Sequence, residues 1–170
     1  MSARPGREPV GAGTPGAAGA EPRWLTVDEQ HVWRDYLDVM RRLMDRLNRQ
    51  LVDESGMSLA EYEVLVQLSE SPERRLRMSE LADLVVNSRS RLTHTVGRLE
   101  DRGWVERQEC PDDRRGILCV LTGAGFAALD AAAPGHVEAV RAVVFDPLDP
   151  SDVAGLGIAM RKVRTSLRDT

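Results

Sequence analysis

Apolar residues recur every three or four positions through most of this chain, and the rhythm becomes strand-like only around Val105 to Leu121. The first run places Val32, Tyr36, Leu37, Met40, Leu43, Met44, Leu47 and Leu51 on one side, which predicts a helix from Thr26 to about Asp53. Thr26-Val27-Asp28-Glu29 is a capping box, in which the Thr hydroxyl and the Glu carboxylate each take a free backbone N–H. Ser58-Leu59-Ala60-Glu61 repeats that signal and opens a helix ending near Ser71-Pro72, with Tyr62, Leu65, Val66 and Leu68 as its apolar side. Ser79 is the expected N-cap of a short helix carrying Leu81, Ala82, Leu84 and Val85. Asn87-Ser88 breaks the run. A longer helix then follows from Arg89 to Arg102, with Leu92, Val96 and Leu99 on its buried face and Gly103 as its stop.

Beyond Gly103 the pattern predicts two strands, Val105 to Cys110 and Gly116 to Leu121, joined by Pro111-Asp112-Asp113-Arg114-Arg115. A third short strand, Leu76 to Met78, is expected to pair with them. Thr122 caps a helix through Ala133, where Pro134 should kink or break it. The apolar pattern resumes at Val137, Val140, Val143, Val144 and Phe145. Asp149-Pro150, an N-cap followed by Pro at the first helical position, opens a last helix to about Leu167. The order is a helix-turn-helix followed by a β-hairpin, flanked by helices: a mainly α fold with a small antiparallel wing.

The front of the second motif helix carries Ser88, Arg89, Ser90, Arg91, Thr93 and His94, with Arg98 one turn on. Hydroxyls and backbone N–H groups at a helix N-terminus suit phosphate, and Arg can donate two hydrogen bonds to a guanine edge in the major groove. The same helix, taken alone, is equally an ordinary solvated amphipathic helix. The hairpin tip adds Arg114 and Arg115, placed to reach phosphates or a narrow minor groove, with Asp112 two residues before Arg114 to orient its guanidinium. A solubilising charged turn is the alternative for the tip alone.

Together these segments resemble the MarR family of winged-helix transcription regulators. SRSRLTHTVGRLEDRGWVER is similar to the family's recognition helix and its run into the wing. DDRRGILCVLTGAG is similar to the wing, with an Asp-x-Arg pattern on Asp112 and Arg114 and the Leu121-Thr122 that opens the next helix. The similarity spans about Trp24 to Leu167. Many relatives carry Arg where this chain has His94. The resemblance implies a homodimer whose first and last helices interlock, a pseudo-palindromic double-stranded DNA operator, and repression relieved by a small apolar or phenolic effector. It divides the chain into a helical dimerisation region (23–54 and 123–170) and a winged-helix region (57–122). Trp33, Tyr36, Leu37, Met40, Val144, Leu148 and Leu156 are the expected dimer residues, since the long apolar face of the first helix needs a cover.

Composition modifies this picture only in places. With 42% hydrophobic and 29% charged residues, the 170-residue chain is that of a soluble domain with a core of its own. Residues 1–22, mostly Gly, Ala and Pro, are expected to form a disordered tail. No apolar run is long enough for a signal-peptide core or a membrane span, so a cytoplasmic, nucleoid-associated protein is expected. The net charge of −4 does not suggest nucleic acid, so the Arg of the motif must be sorted onto one side for DNA to bind. All basic residues except Lys162 are Arg. Cys110 and Cys119, one per wing strand, are expected to be packing residues on one sheet face if position 110 pairs near 117. Thiol-sensing relatives carry their reactive Cys in the first long helix, where this chain has none. His31, His94 and His136 form no ligand motif, and no phosphate loop, nucleophile elbow or paired-His metal motif occurs, so no enzyme and no cofactor are expected. Two other classes stay open: a winged helix serving as a protein-interaction module without DNA affinity, and a redox switch built on the wing cysteines.

Overall fold

The computed structural model describes residues 22–85, 89–111 and 113–168, with the backbone alone for Arg89, Arg114, Arg115 and Arg168. Among these the elements run α1 (Val27–Ser55), α2 (Leu59–Glu70), a 3₁₀ turn (Pro72–Arg74), β1 (Arg75–Arg77), α3 (Met78–Leu84), α4 (Arg89–Asp101), β2 (Val105–Cys110), β3 (Asp113–Leu121), α5 (Gly123–Val140), a π turn (Arg141–Phe145) and α6 (Pro150–Arg168). The three strands form one antiparallel sheet in the order β1-β3-β2. This is a mainly helical winged helix-turn-helix.

The chain divides into two compact units, one ending at Tyr36 and one beginning at Leu37. In the first, the Thr26 N–H donates to Glu29 Oε2 at 2.8 Å and the Glu29 N–H donates to Thr26 Oγ1 at 3.2 Å, closing the expected capping box. Trp33 and Tyr36 stack with ring centroids 5.9 Å apart, and both are exposed.

In the second unit the core gathers around α2. Val64, Leu65 and Leu68 of α2 pack with Leu51 of α1, Leu81 of α3, Leu92, Val96 and Leu99 of α4, Val105, Cys119 and Leu121 of the sheet, and Leu129 of α5. Each large side chain taken fully out of water contributes about 1.5–3 kcal/mol, so the helix-turn-helix and the wing share one apolar centre. Gly103, at φ 69°, ends α4 in the left-handed region. Its N–H donates to the Glu100 carbonyl at 2.8 Å and the Trp104 N–H donates to the Leu99 carbonyl at 2.9 Å, the paired bonds of a Schellman motif. That turn aims β2 back along α4.

Four local expectations are corrected. The short motif helix starts one residue before Ser79: Arg77 is its N-cap, and the Glu80 carboxylate, three residues on, accepts the Arg77 N–H at 2.9 Å. The short strand is Arg75–Arg77 rather than 76–78, for the same reason. The second wing strand begins at Asp113 rather than Gly116, because a bulge between Glu109 and Cys110 lets Cys110 pair with Asp113. Arg114 and Arg115 therefore lie in β3, and Cys110 does not pair near 117. Pro134 neither breaks α5 nor ends it; the helix continues to Val140. Pro134 is exposed, so its missing N–H and its ring disturb only the solvent side of the helix. Asn87-Ser88, the expected break before α4, lies outside the described residues.

Candidate nucleic-acid interface

Helix α4 sorts its residues by angle. Leu92, Val96 and Leu99 point into the core and Thr95 is buried beside them, while Ser90, Arg91, Thr93, His94 and Arg98 are exposed. Successive residues turn by 100°, so Ser90, His94 and Gly97 run down the face opposite the core. Arg91 and Arg98 lie on the flank toward α2, and Thr93 on the flank toward the wing. Arg91 and Arg98 thus share one exposed flank, away from Glu100 on the wing side.

Each flank is braced by an ion pair. On the wing side, Arg107 of β2 donates through Nη1 to Glu100 Oε2 at 2.9 Å and through Nη2 to the Thr93 carbonyl at 3.1 Å. On the α2 side, Arg98 donates through Nε to Glu61 Oε1 at 3.0 Å. Glu61 is itself the carboxylate of the α2 capping box, accepting the Ser58 N–H at 2.7 Å and the Ser58 hydroxyl at 2.6 Å. Burial alone would push its carboxyl up; the bonds from Ser58 and then Arg98 outweigh burial and hold it below the usual carboxylate range. At the end of α4, Arg102 donates to the Gly56 carbonyl at 2.9 Å and lies 4.8 Å from the centre of the Trp104 ring, so this arginine serves the fold.

The wing is tethered near its tip, at the start of β3. Arg77 of β1 donates through Nη1 to Asp113 Oδ2 at 3.2 Å. The acid engaged there is Asp113, the neighbour of the expected Asp112. Ser88 and Asp112 lie outside the described residues; Arg89, Arg114 and Arg115 are placed by backbone at the start of α4 and in β3.

Cys119 sits in the middle strand, opposite Arg107 on one side and Leu76 on the other, and is fully buried. Burial pushes its thiol up to about 12, so it stays protonated and inert at neutral pH. Cys110 is also buried, apart from the main core cluster. Cys119 therefore lacks the exposed, charge-stabilised setting of a sensing thiol.

A MarR family model matches residues 55–116, from the end of α1 into the wing. The chain is similar, with a TM-score of 0.82, to Sco3205, a MarR family transcriptional regulator from Streptomyces coelicolor solved in complex with DNA, at 51% identity over 88% of this chain and 93% of that one. The chain belongs to the MarR family. AbsC, another MarR family regulator of S. coelicolor, matches at 41% identity over 88% of this chain and all of that one, with a TM-score of 0.81. Among curated MarR-type regulators, PecS of Dickeya dadantii is 28% identical over 60% of this chain and 62% of its own length. The chain spans less than two thirds of the curated relatives it matches.

Within this MarR-family fold, sequence reasoning passed over Arg77, Glu61 and Arg107. Glu61 was legible as a capping residue; its second bond, to Arg98, joins positions 37 apart. Arg107 could be found only once the strand register placed it beside α4. The expected dimer residues occupy three places. Trp33 and Tyr36 are exposed in the first unit, and Leu37 and Met40 are exposed on α1 in the second. Val144 and Leu148 are half-buried near the π turn, and Leu156 is exposed on α6 beside Val153, Met160 and Val163. No described helix is long and apolar enough to cross a membrane, and no three His, Cys, Asp or Glu side chains among the described residues converge as a metal site would require.

Proposed function

We propose that this chain is a homodimeric, sequence-specific DNA-binding transcriptional regulator that represses in the cytoplasm and is released by a small-molecule effector. The observation that carries it is α4, which presents Ser90, Arg91, Thr93, His94 and Arg98 on its exposed side and is braced against α2 and the wing. A helix so mounted fits the major groove, with Arg89 in its first turn and the wing strand that carries Arg114 and Arg115 set against the flanking backbone. The DNA complex of Sco3205 supports this reading by similarity. Exposed apolar residues along α1 and α6 support a second copy as their cover. Two-fold symmetry then calls for half-sites about 34–36 Å apart, or a multiple.

For the effector, a cavity of about 220 Å³ opens between Met44, Leu47, Leu59, Tyr62, Val66 and His136. Burial raises the carboxyl of Glu63 and lowers the imidazolium of His136, both of which line it, so the cavity favours uncharged groups. The Nδ1 atom of His136 makes no hydrogen bond to any described residue. A dry cavity of about 150 Å³ already accepts benzene, and a phenol-sized molecule matches the volume and offers a hydroxyl to His136 Nδ1.

The test is a set of binding isotherms on a duplex selected from a random library by the full-length protein and on a scrambled duplex, across salt. Arg114→Ala should weaken both and lower the salt slope by about one. Arg91→Ala should cost about 1–3 kcal/mol on the selected duplex and far less on the scrambled one. A parent protein that selects no duplex refutes the reading.

A further inference from the structure

Between the N-terminus of α2 and the exposed flank of α4 lies an open groove of about 530 Å³, lined by Ser58, Ala60, Ser90, Arg91, His94 and Arg98. Two of the lining residues, Ser58 and Arg98, hold a buried carboxylate between them. The Glu61 side chain is only 3% exposed, whereas Arg98, bonded to it through Nε, is 56% exposed. An Arg held by Nε keeps terminal nitrogens for another partner, in a plane set by the anchor. Both Glu61 oxygens are committed, Oε2 to Ser58 and Oε1 to Arg98. The arrangement requires two acceptors on one side chain. Glutamine has one acceptor oxygen, so its NH₂ would have to face either the Ser58 N–H or the Arg98 Nε–H, donor against donor.

Resting on the DNA-binding reading above, we propose that Glu61 is a positioning residue for DNA: it never reaches the duplex, and it fixes the Arg98 guanidinium at the rim of this groove, where a backbone phosphate binds. One buried carboxylate thereby sets the start of α2 and the aim of an arginine on the recognition helix. A buried carboxylate needs a cation beside it, and Arg98 supplies that cation from the solvent side, with more than half of its own side chain still exposed.

The experiment uses the full-length protein, with the duplex it selects from a random library as probe. Isotherms are taken across salt for Glu61→Gln, Arg98→Lys and the double variant, at a temperature where circular dichroism shows each folded. Lysine keeps the charge and cannot serve carboxylate and phosphate in one plane. Each single variant should bind about tenfold more weakly, and the double variant about tenfold rather than a hundredfold, because both changes remove one interaction. Glu61→Gln should also lower the salt slope by about one, as the loss of a phosphate contact does; general loosening of the fold would weaken binding without that change. Glu61→Asp, one methylene too short to span Ser58 and Arg98, carries the same expectation should Glu61→Gln melt below the assay temperature. Glu61→Gln binding like the parent, losses that multiply, or an unchanged slope would each overturn the proposal and leave the DNA-binding reading standing. A parent that selects no duplex overturns both.

Discussion

Two glycine-to-alanine changes should move stability in opposite directions. Gly97 lies in the interior of α4, four residues from its end. A methyl group added there meets only Nη2 of Arg107, at 4.0 Å, an ordinary contact with a flexible side chain. The change therefore gains helix propensity without strain, about 0.5–1 kcal/mol. Gly125 sits in the first turn of α5, where Thr122 caps it by accepting the Gly125 N–H at 3.0 Å. A methyl group there would stand 2.0 Å from the Trp104 carbonyl oxygen and 2.8 Å from its carbon. That oxygen already accepts the Thr122 N–H and hydroxyl, each at 3.1 Å. Relief requires α5 to retreat by about 1 Å, which weakens these bonds and the cap; overpacking and cap loss together cost about 2–4 kcal/mol. For a chain of this size each kcal/mol is roughly 2–4 °C in melting temperature. Thermal unfolding at one fixed protein concentration should show Gly97→Ala melting a few degrees above the parent and Gly125→Ala about 5–12 °C below it. A lower melting temperature for Gly97→Ala, or a Gly125→Ala protein within a degree of the parent, would refute the packing argument. Because Gly97 shares the outer face of α4 with Ser90 and His94, the same Gly97→Ala protein should also bind the selected duplex more weakly, although it is more stable.

The Cys119 thiol, pushed up to about 12, should resist iodoacetamide in the native protein at pH 8 and react once the chain is unfolded in guanidinium; native labelling of Cys119 on the time scale of free cysteine would contradict its burial. Glu61 has a folded pKa below its unfolded value of 4.5, so its contribution is complete above that value and is lost as pH falls through the folded pKa. Urea unfolding of Glu61→Gln against the parent should therefore differ most above pH 4.5, and the gap should narrow as pH falls through the folded pKa; a gap that widens on acidification would reverse the sign. Leu156→Arg, placing a charge on the exposed apolar side of α6, should shift light scattering at low micromolar concentration from dimer toward monomer or unfolded chain; an unaltered dimer would move the interface elsewhere.

Much of this architecture was legible before any coordinates, because the signals are local. The capping boxes at Thr26–Glu29 and Ser58–Glu61, the Thr122 cap and the Asp149-Pro150 start all act within one helical turn, and all four appear as expected. Gly103 ends α4 by the same short-range logic. The apolar spacing of Leu92, Val96 and Leu99 places the exposed side of the recognition helix without knowledge of what covers the other side. The misplaced details depended on partners distant in sequence. Whether Arg114 and Arg115 belong to a turn or a strand depends on a bulge opposite them. Whether Pro134 ends a helix depends on which side of α5 meets solvent. Glu61 with Arg98, and Arg107 with Glu100 and the Thr93 carbonyl, are pairs that only the folded chain brings within 3.1 Å. Spacing in the sequence records the forces that act along one helix or one turn. Which arginine is aimed outward and which is held against a carboxylate is decided by where the core closes, and that is a property of the tertiary structure.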